Sequence, residues 1–556
     1  MQYKWVNIVV GWIVFAISAF FLVSTVESSG SLWDCGEFIS GAYKLQVVHP
    51  PGAPLFLMLG RIFSLFGGDD PTRIAIMVNT MSAIASAFAV LFIFWIITSM
   101  AKRIIAGNTE NVPVDKMIAI MGSGVVGALA CSFMDTLWFS AAEGEVYALS
   151  TFFIAIVLWS LVRWDQESEE KNGNRWLVFM SFMIGLSIGV HLLSLLVIPI
   201  TALVYYFKKH KPTFFGTVIA LFAGFILLAI VQSGVIIMLT ELAGKVEYLF
   251  VNSFGLPFNS GISFAYIVYF SALVFAIYYA NKIKHADLQL AGLCLLMVMF
   301  GFMSYLMVPI RATANPPINM NAPTDVFSLI SYLNREQYGE RPLLYGPYYN
   351  ASPVDIKVTG QSYYRNDKTG KYEVKGDKND YIYRPEDKQF FPRMYPPNND
   401  REEMISLYKY WANISGEPTF ADNMTFFLRY QVGYMYWRYF LWNFSGKQDD
   451  FQGMADNKSI NGNWRSGIPF LDQARGVDAT EVPAVIKNHM ARNNYFLLPL
   501  LLGLIGLIFQ IQRDKKHALY LILLFFITGL LLIIYSNQPP REPRERDYVL
   551  IGSFMT

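Results

Sequence analysis

Eleven apolar runs of roughly 15–25 residues recur along the chain, and they leave it few ways to fold. They lie near 5–26, 74–98, 117–136, 146–163, 176–190, 194–207, 214–240, 263–281, 288–308, 495–512 and 518–536. Helices of about this length match the ~30 Å hydrocarbon core of a bilayer. The chain therefore reads as a polytopic α-helical membrane protein of about 11 transmembrane helices with a mixed external soluble domain. Composition agrees, because 15% of the 556 residues are charged where soluble domains carry about 25%. The fifth and sixth runs are short and read as a hairpin turning near His191–Ser194, on charge grounds, rather than as one kinked helix. The first run has no small-residue cleavage site and reads as a retained span.

Basic residues collect on alternate turns: Lys102, Arg103 and Lys116; Arg163, Lys171 and Arg175; Lys208, Lys209 and Lys211; Lys282 and Lys284; Arg513, Lys515 and Lys516. The turn 137–145 has none and 241–262 has only Lys245. By the positive-inside rule the rich turns face the cytoplasm. The loop 27–73, the turn 137–145, residues 311–494 and the C-terminal tail are then external, which in a bacterial inner membrane means periplasmic. Three parts follow: a transmembrane module 1–310, an external domain 311–494, and a C-terminal transmembrane hairpin with a basic tail, 495–556. In the external domain Asp325 should cap a helix. Residues 350–400 read as a hairpin or a mobile loop, with turn residues at Thr369–Gly370 and Gly376–Asp377. The aromatic stretch 420–444 suits either a membrane surface or a buried helix.

Four polar constellations fall on the external side. Asp34 and Glu37 share a helix face at i, i+3 and precede His49-Pro50-Pro51-Gly52, with Trp33 and Phe38 bracketing the acids. Capping of a helix by Asp34, with Glu37 as its capping-box partner, is the structural alternative. Glu143 and Glu145 stand where the fourth span begins, suited to its dipole or to a substrate. Arg311 closes a span on the side where the charge rule disfavours arginine, and it suits a lipid phosphate as well as plain interfacial placement. Arg541, Arg544 and Arg546 lie among Glu542 and Glu545, for anion binding or internal pairing. His191 reads as a packing histidine. The three cysteines, Cys35, Cys131 and Cys294, are too far apart to suggest a disulfide framework or zinc site. No phosphate-binding glycine loop with lysine, HExxH or CxxC occurs, so a nucleotide-driven pump, a zinc protease and a thiol oxidoreductase are unsupported. Nothing points to nucleic acid.

Asp34-Cys35-Gly36-Glu37-Phe38 followed by His49-Pro50-Pro51-Gly52, Glu145–Leu149, Arg311–Asn319 and Arg544–Tyr548 together resemble glycosyltransferase family 117. These are the transmembrane protein 260-like protein O-mannosyltransferases of the GT-C superfamily, whose bacterial members are longer than this chain. The resemblance implies a membrane glycosyltransferase that moves a hexose, mannose favoured, from a polyprenyl-phosphate-sugar to Ser/Thr hydroxyls of exported proteins, with inversion. Asp34 would be the general base and Glu37 a second acidic group. Arg311, Arg541, Arg544 and Arg546 would hold the donor phosphate, and His49, Glu143, Glu145, Tyr147 and Asn315 would contact substrate. The lipid-linked sugar is a co-substrate, no cofactor is implied, and a divalent metal is not required by the chemistry. The competing readings are a lipid or small-solute transporter, for which polar groups belong on broken helices at mid-membrane, and a non-catalytic assembly factor in secretion.

Overall fold

The computed structural model describes the chain apart from residues 1, 108, 110, 340, 398–400, 454–460, 478–482 and 543. Two compact units result. The first comprises Met1–Phe133, Leu137–Gly339 and Gly360–Lys378, and the second Met134–Thr136, Glu340–Thr359 and Asn379–Thr556. Residues 311–339 thus group with the first unit, and the last two apolar helices with the second.

The helices of the first unit are α1 (Gln2–Ser24), α2 (Cys35–Lys44), α3 (Pro54–Ser64), α4 (Pro71–Ile105), α5 (Val114–Ser132), α6 (Asp135–Ala142, its start in the second unit), α7 (Val146–Glu167), α8 (Arg175–Ile188), α9 (Ile198–Lys209), α10 (Phe214–Ser253), α11 (Ser260–Lys282), α12 (Ala286–Thr313) and α13 (Val326–Leu333). Every apolar run of the sequence falls on a helix. Among the described residues nine helices are long and apolar enough to cross a membrane, while Arg175–Ile188 and Leu498–Arg513 are shorter. The chain is an integral membrane protein.

Helices α4 and α7 are the most buried of the nine. On α4 the buried face includes Ser82, Ala83, Ala85, Ser86, Ala87 and Ala89, small side chains that let backbones approach where lipid supplies no hydrophobic drive. Gly124 of α5 serves the same end, since a Cβ there would stand 2.5 Å from Thr98 Cγ2.

The basic helix ends converge. Asp165 of α7 accepts from Arg103 at 3.0 Å and lies 3.6 Å from Lys208. Glu167, two residues on, pairs with Arg163 and with Arg175 at 2.9 Å. Arg175 starts α8 and Lys208 ends α9, yet both reach the last turn of α7. The chain therefore runs out and back through the break at 189–191, as the hairpin reading requires.

Helix α10 is longer than the apolar run that announced it. Its 40 residues span about 60 Å, twice the hydrocarbon core. The hydropathy ends at Glu241, Lys245 and Glu247, but none of these breaks a helix. Buried Glu247 accepts from the backbone N–H groups of Asn259, Gly261 and Ile262 and from the Tyr372 hydroxyl, which fixes the turn into α11.

The second unit has strands β1 (Tyr345–Pro347), β2 (Asp355–Asn366), β3 (Lys371–Ile382) and β4 (Lys388–Phe390), with β1 antiparallel to β4 and β2 paired with β3. Residues 360–378 of the β2–β3 hairpin group with the first unit. The hairpin turns once, at Thr369–Gly370, where Gly370 has φ +67°. Gly376–Asp377 lies inside β3, so the second expected turn is absent. The longer helices of the unit are α14 (Arg401–Ala412), α15 (420–444, with a π-helical middle), α16 (Leu498–Arg513) and α17 (Lys515–Ser536). In α15 Tyr430, Tyr436, Tyr439 and Trp442 are buried, which decides for a core helix over a membrane-surface one. The tail ends in a short helix, Ile551–Phe554, and Phe554 is buried.

Candidate functional site

Helix α2 is amphipathic: Phe38, Ile39 and Ala42 are buried in one cluster with Phe56 and Leu57 of α3, Val78 of α4 and Val146 of α7. That burial turns the opposite face, with Asp34 and Glu37, away from the core. Asp34 occupies the N-cap position but makes no side-chain capping bond, and it is exposed. Glu37 does not reach back to the cap. Its Oε1 accepts from the backbone N–H of His49 at 2.8 Å and its Oε2 lies 2.7 Å from His49 Nδ1. The capping-box alternative is therefore overturned, and Glu37 holds His49 by both ring and backbone. Phe38 packs edge-on to the His49 ring, centroids 5.4 Å apart. Trp33, expected as the other half of an apolar bracket, is 53% exposed.

One potential ligand atom from each of Asp34, Glu37 and His49 lies within 4.8 Å of the other two. Two carboxylates and an imidazole in that space can hold a divalent cation or shuttle a proton. Burial draws the His49 pKa down, but the Glu37 bond and the charges of Glu37, Asp34 and Glu145 outweigh it and raise it above the ordinary value.

A turn and a clamp deliver His49. After a cis Pro50–Pro51 bond, Gly52 has φ +73°, a conformation L side chains avoid. A Cβ there would meet the Tyr332 hydroxyl at 2.5 Å. Tyr332 of α13 is buried and donates that hydroxyl to the Val48 carbonyl. Helix α3 follows, continued by a turn to Gly67; at 14 residues it is shorter than a membrane span.

The Arg311–Asn319 motif belongs to the same construction. Val47 donates to the Ile318 carbonyl at 3.1 Å, Met320 to the Val47 carbonyl at 3.0 Å, and Ile318 to Gln46 Oε1 at 2.8 Å. Arg311 donates Nε to the Leu45 carbonyl at 2.7 Å and Nη2 to that of Lys44 at 3.1 Å, so it caps the C-terminus of α2. Its remaining N–H donors are uncommitted among the described residues. Asn315 is exposed at φ +48° and serves the turn after α12.

Glu143 is buried and accepts from Ser31 Oγ at 3.0 Å and Cys35 Sγ at 3.4 Å, tying the start of α2 to the 141–147 loop. Burial, together with the charge of Glu143, pushes the Cys35 thiol pKa up, which disfavours the thiolate form. Glu145 is the N-cap of α7 and accepts from the Val146 N–H at 3.1 Å, the helix-end role weighed for it. Tyr147 faces His191, ring centroids 5.5 Å apart. Arg541, Arg544 and Arg546 belong to the second unit. Arg541 pairs with Glu403, Arg546 with Glu542 at 2.9 Å, and Arg544 lies over the Tyr548 ring. Glu545 pairs with Arg438, which lies more than 100 residues from the tail in sequence and was not considered from it. Gln46, Ser31 and Tyr332 also escaped the sequence reading; only the glycine of His-Pro-Pro-Gly signalled that something packs closely there.

Fold and site together define a polytopic membrane protein with an acid–histidine site at one end of its helix array. Residues 34–214 match the family model described as Protein O-mannosyl-transferase TMEM260 N-terminal domain, and residues 339–428 match a family of unknown function, DUF8416. Among curated proteins, Protein O-mannosyl-transferase tmem260 of Dictyostelium discoideum is 28% identical over 177 residues, 30% of this chain and 19% of that protein. Protein O-mannosyl-transferase TMEM260 of Mus musculus is 26% identical over 177 residues, 32% of this chain and 22% of that protein. The likeness is thus to the TMEM260-like protein O-mannosyltransferase family, and the aligned stretch spans about a fifth of each relative's length. No solved structure matches.

Proposed function

We propose that the protein is a membrane O-mannosyltransferase that moves mannose from a polyprenyl-phosphate carrier to a Ser or Thr hydroxyl of an exported protein. The carrying observation is the pairing of an exposed Asp34, which makes no side-chain capping bond, with a neighbouring Glu37–His49 pair already locked in place. In the reaction the acceptor oxygen bonds to the anomeric carbon while the bond from that carbon to the phosphate oxygen breaks. Asp34 takes the hydroxyl proton, and the lipid phosphate leaves with the electron pair. A single displacement inverts the sugar. Glu37 is a positioning residue, holding His49 and the loop behind it. Arg311, with N–H donors to spare beside α2, is our choice for the leaving phosphate.

Sidedness supports the reading. Helix α7 starts at the site with Glu145 as its cap and ends at Asp165 among the basic helix ends. Twenty residues of helix rise about 30 Å, one bilayer core. With the basic end cytoplasmic, the site opens on the external face, the periplasm in a bacterium, where exported proteins and flipped lipid-sugars meet.

The test is purified protein with polyprenyl-phosphate mannose and an acceptor peptide, read by intact mass. Asp34→Asn should slow transfer about 10²–10⁴-fold. Undiminished transfer by that variant would remove the base assignment. Arg311→Lys, which keeps charge but not the fork, should impair donor use more than acceptor use.

A further inference from the structure

The loop between α1 and α2 is strapped down over the most buried helices. Glu27 donates its N–H to the Ala142 carbonyl at 2.9 Å, and Asn79 of α4 donates Nδ2 to the Glu27 and Ser29 carbonyls at 2.8 and 3.0 Å. Ser31 Oγ donates to Glu143 at 3.0 Å and lies 3.2 Å from Cys35 Sγ. Asn79 and Cys35 are fully buried. Between the two pinned points, Ser31 and Cys35, residues 32–34 form an arch, and all three are exposed.

Trp33 stands at the crown of the arch. Its φ of +67° is a left-handed conformation that bulky side chains avoid, and such a backbone persists only where its neighbours fix it. The straps on either side do so. The other aromatic side chains at the site are covered: Phe38, Phe56 and Tyr332 are buried, and Tyr147 packs on His191. Trp33 is 53% exposed, and among the described residues its indole stacks on no ring, meets no cation and makes no hydrogen bond. A tryptophan at a membrane rim is open in the same way. This one, however, belongs to a loop tied to α4 and to the entry of α7, the two helices most enclosed by protein, and its neighbour is Asp34.

We infer that the Trp33 indole is the platform on which the hexose of the donor lies, which makes it a specificity-determining residue of the transfer. This rests on the mannosyl-transfer reading proposed above. In that reaction the acceptor oxygen lies one hydrogen bond from the Asp34 carboxylate and one near-attack contact from the anomeric carbon. The reacting end of the sugar is then within about 6 Å of Asp34. Consecutive Cα atoms are about 3.8 Å apart, so an indole on the preceding residue reaches the same space. One face of a hexose ring carries C–H bonds polarised positive, which suits the negative face of an indole. The free Nε1–H can in addition donate to a sugar hydroxyl. A bare phosphate offers no such face.

The experiment measures equilibrium binding of two probes to the full chain in a detergent without a sugar headgroup: polyprenyl-phosphate mannose, and the same polyprenyl phosphate without the sugar. Trp33→Ala should weaken the first about tenfold and leave the second unchanged, which also shows that the variant is folded. Trp33→Phe should recover most of the loss, and Trp33→Leu should not. In turnover Trp33→Ala should raise the donor KM and spare that of the acceptor peptide. Equal affinity of wild type and Trp33→Ala for the mannose-bearing probe overturns the platform and leaves the base assignment standing. Equal weakening of both probes overturns it too, and makes Trp33 a lipid or membrane contact. A wild type that binds neither probe overturns the platform together with the transfer reading. The expected binding difference beside undiminished transfer by Asp34→Asn would remove the base and keep the platform.

Discussion

Asp34 in Trp-Asp-Cys-Gly-Glu and Glu545 in Arg-Glu-Arg-Asp are both carboxylates in polar stretches, one in each compact unit. Asp34 is exposed at the start of α2 and makes no capping bond. Glu545 has a side chain 19% exposed and takes four hydrogen bonds, two from Arg438 and one each from Tyr439 and Gly453. Burial by itself would raise the Glu545 pKa, but the Arg438 charge and these donors overcome it and hold it below the ordinary value. A carboxylate satisfied on every side ties elements together. One left open beside an anchored histidine can exchange a proton. The difference is in the surroundings, since the residue types are nearly the same.

The sharpest way to break this contrast is to neutralise each carboxylate. Asp34→Asn should cost the large transfer factor given above with the thermal midpoint unmoved. Glu545→Gln should instead remove about 3–5 kcal/mol from the stability of the second unit, because it leaves Arg438 buried and unpaired. Chemical denaturation measures both. Equal destabilisation by the two variants would dissolve the contrast. The Glu545 contribution is complete above its unfolded pKa and drains away as pH falls through its lower folded value. The Gln variant should accordingly lose that part of the acid sensitivity.

Next in size is Gly52→Ala. The left-handed backbone and the clash with Tyr332 together should cost about 2–4 kcal/mol and displace His49, seen as a lowered midpoint and reduced transfer. A variant of normal stability and activity would show that the turn does not set the site.

A smaller effect is expected on His49 itself. In the native protein its ring should titrate above about 6.5, the free value, and Glu37→Gln should bring it down, as burial then acts with less opposition. The anchoring is complete below the unfolded pKa and is lost as pH rises through the raised folded one, so the loop should protect its amides better at mildly acid than at alkaline pH. Ring NMR reads the first and hydrogen exchange the second. An unchanged titration in Glu37→Gln would detach Glu37 from His49. The smallest expected effect is that of chelation: EDTA should leave transfer unchanged, because a monophosphate leaving group needs no bridging cation. Activity lost to EDTA and restored by Mn²⁺ would make Asp34 a metal ligand instead of a base.

Much of the architecture was legible because hydrocarbon demands it. Long apolar runs must become helices, and charge bias orders their ends, which is why a hairpin turning near His191–Ser194 could be read from the sequence, within a few residues of the break at 189–191. The reach of α10 beyond its apolar run was not, since Glu241, Lys245 and Glu247 stop hydropathy without stopping a helix. The capping-box alternative for Asp34 and Glu37 failed for a related reason: local spacing allows the bond, but His49, 12 residues along, offers Glu37 two better partners.

The order of spans, the sidedness of charge and the gathering of Asp34, Glu37 and His-Pro-Pro-Gly in one loop are properties of the sequence alone, set by hydropathy and short spacings. The tertiary structure decided which groups stay open. Arg311, 266 residues from Leu45, became the cap of α2, Tyr332 the lock on Val48, and Arg438 the partner of Glu545. Each of these is a closure across distant segments, where the gain from satisfying a buried polar group appears only once the chain has folded.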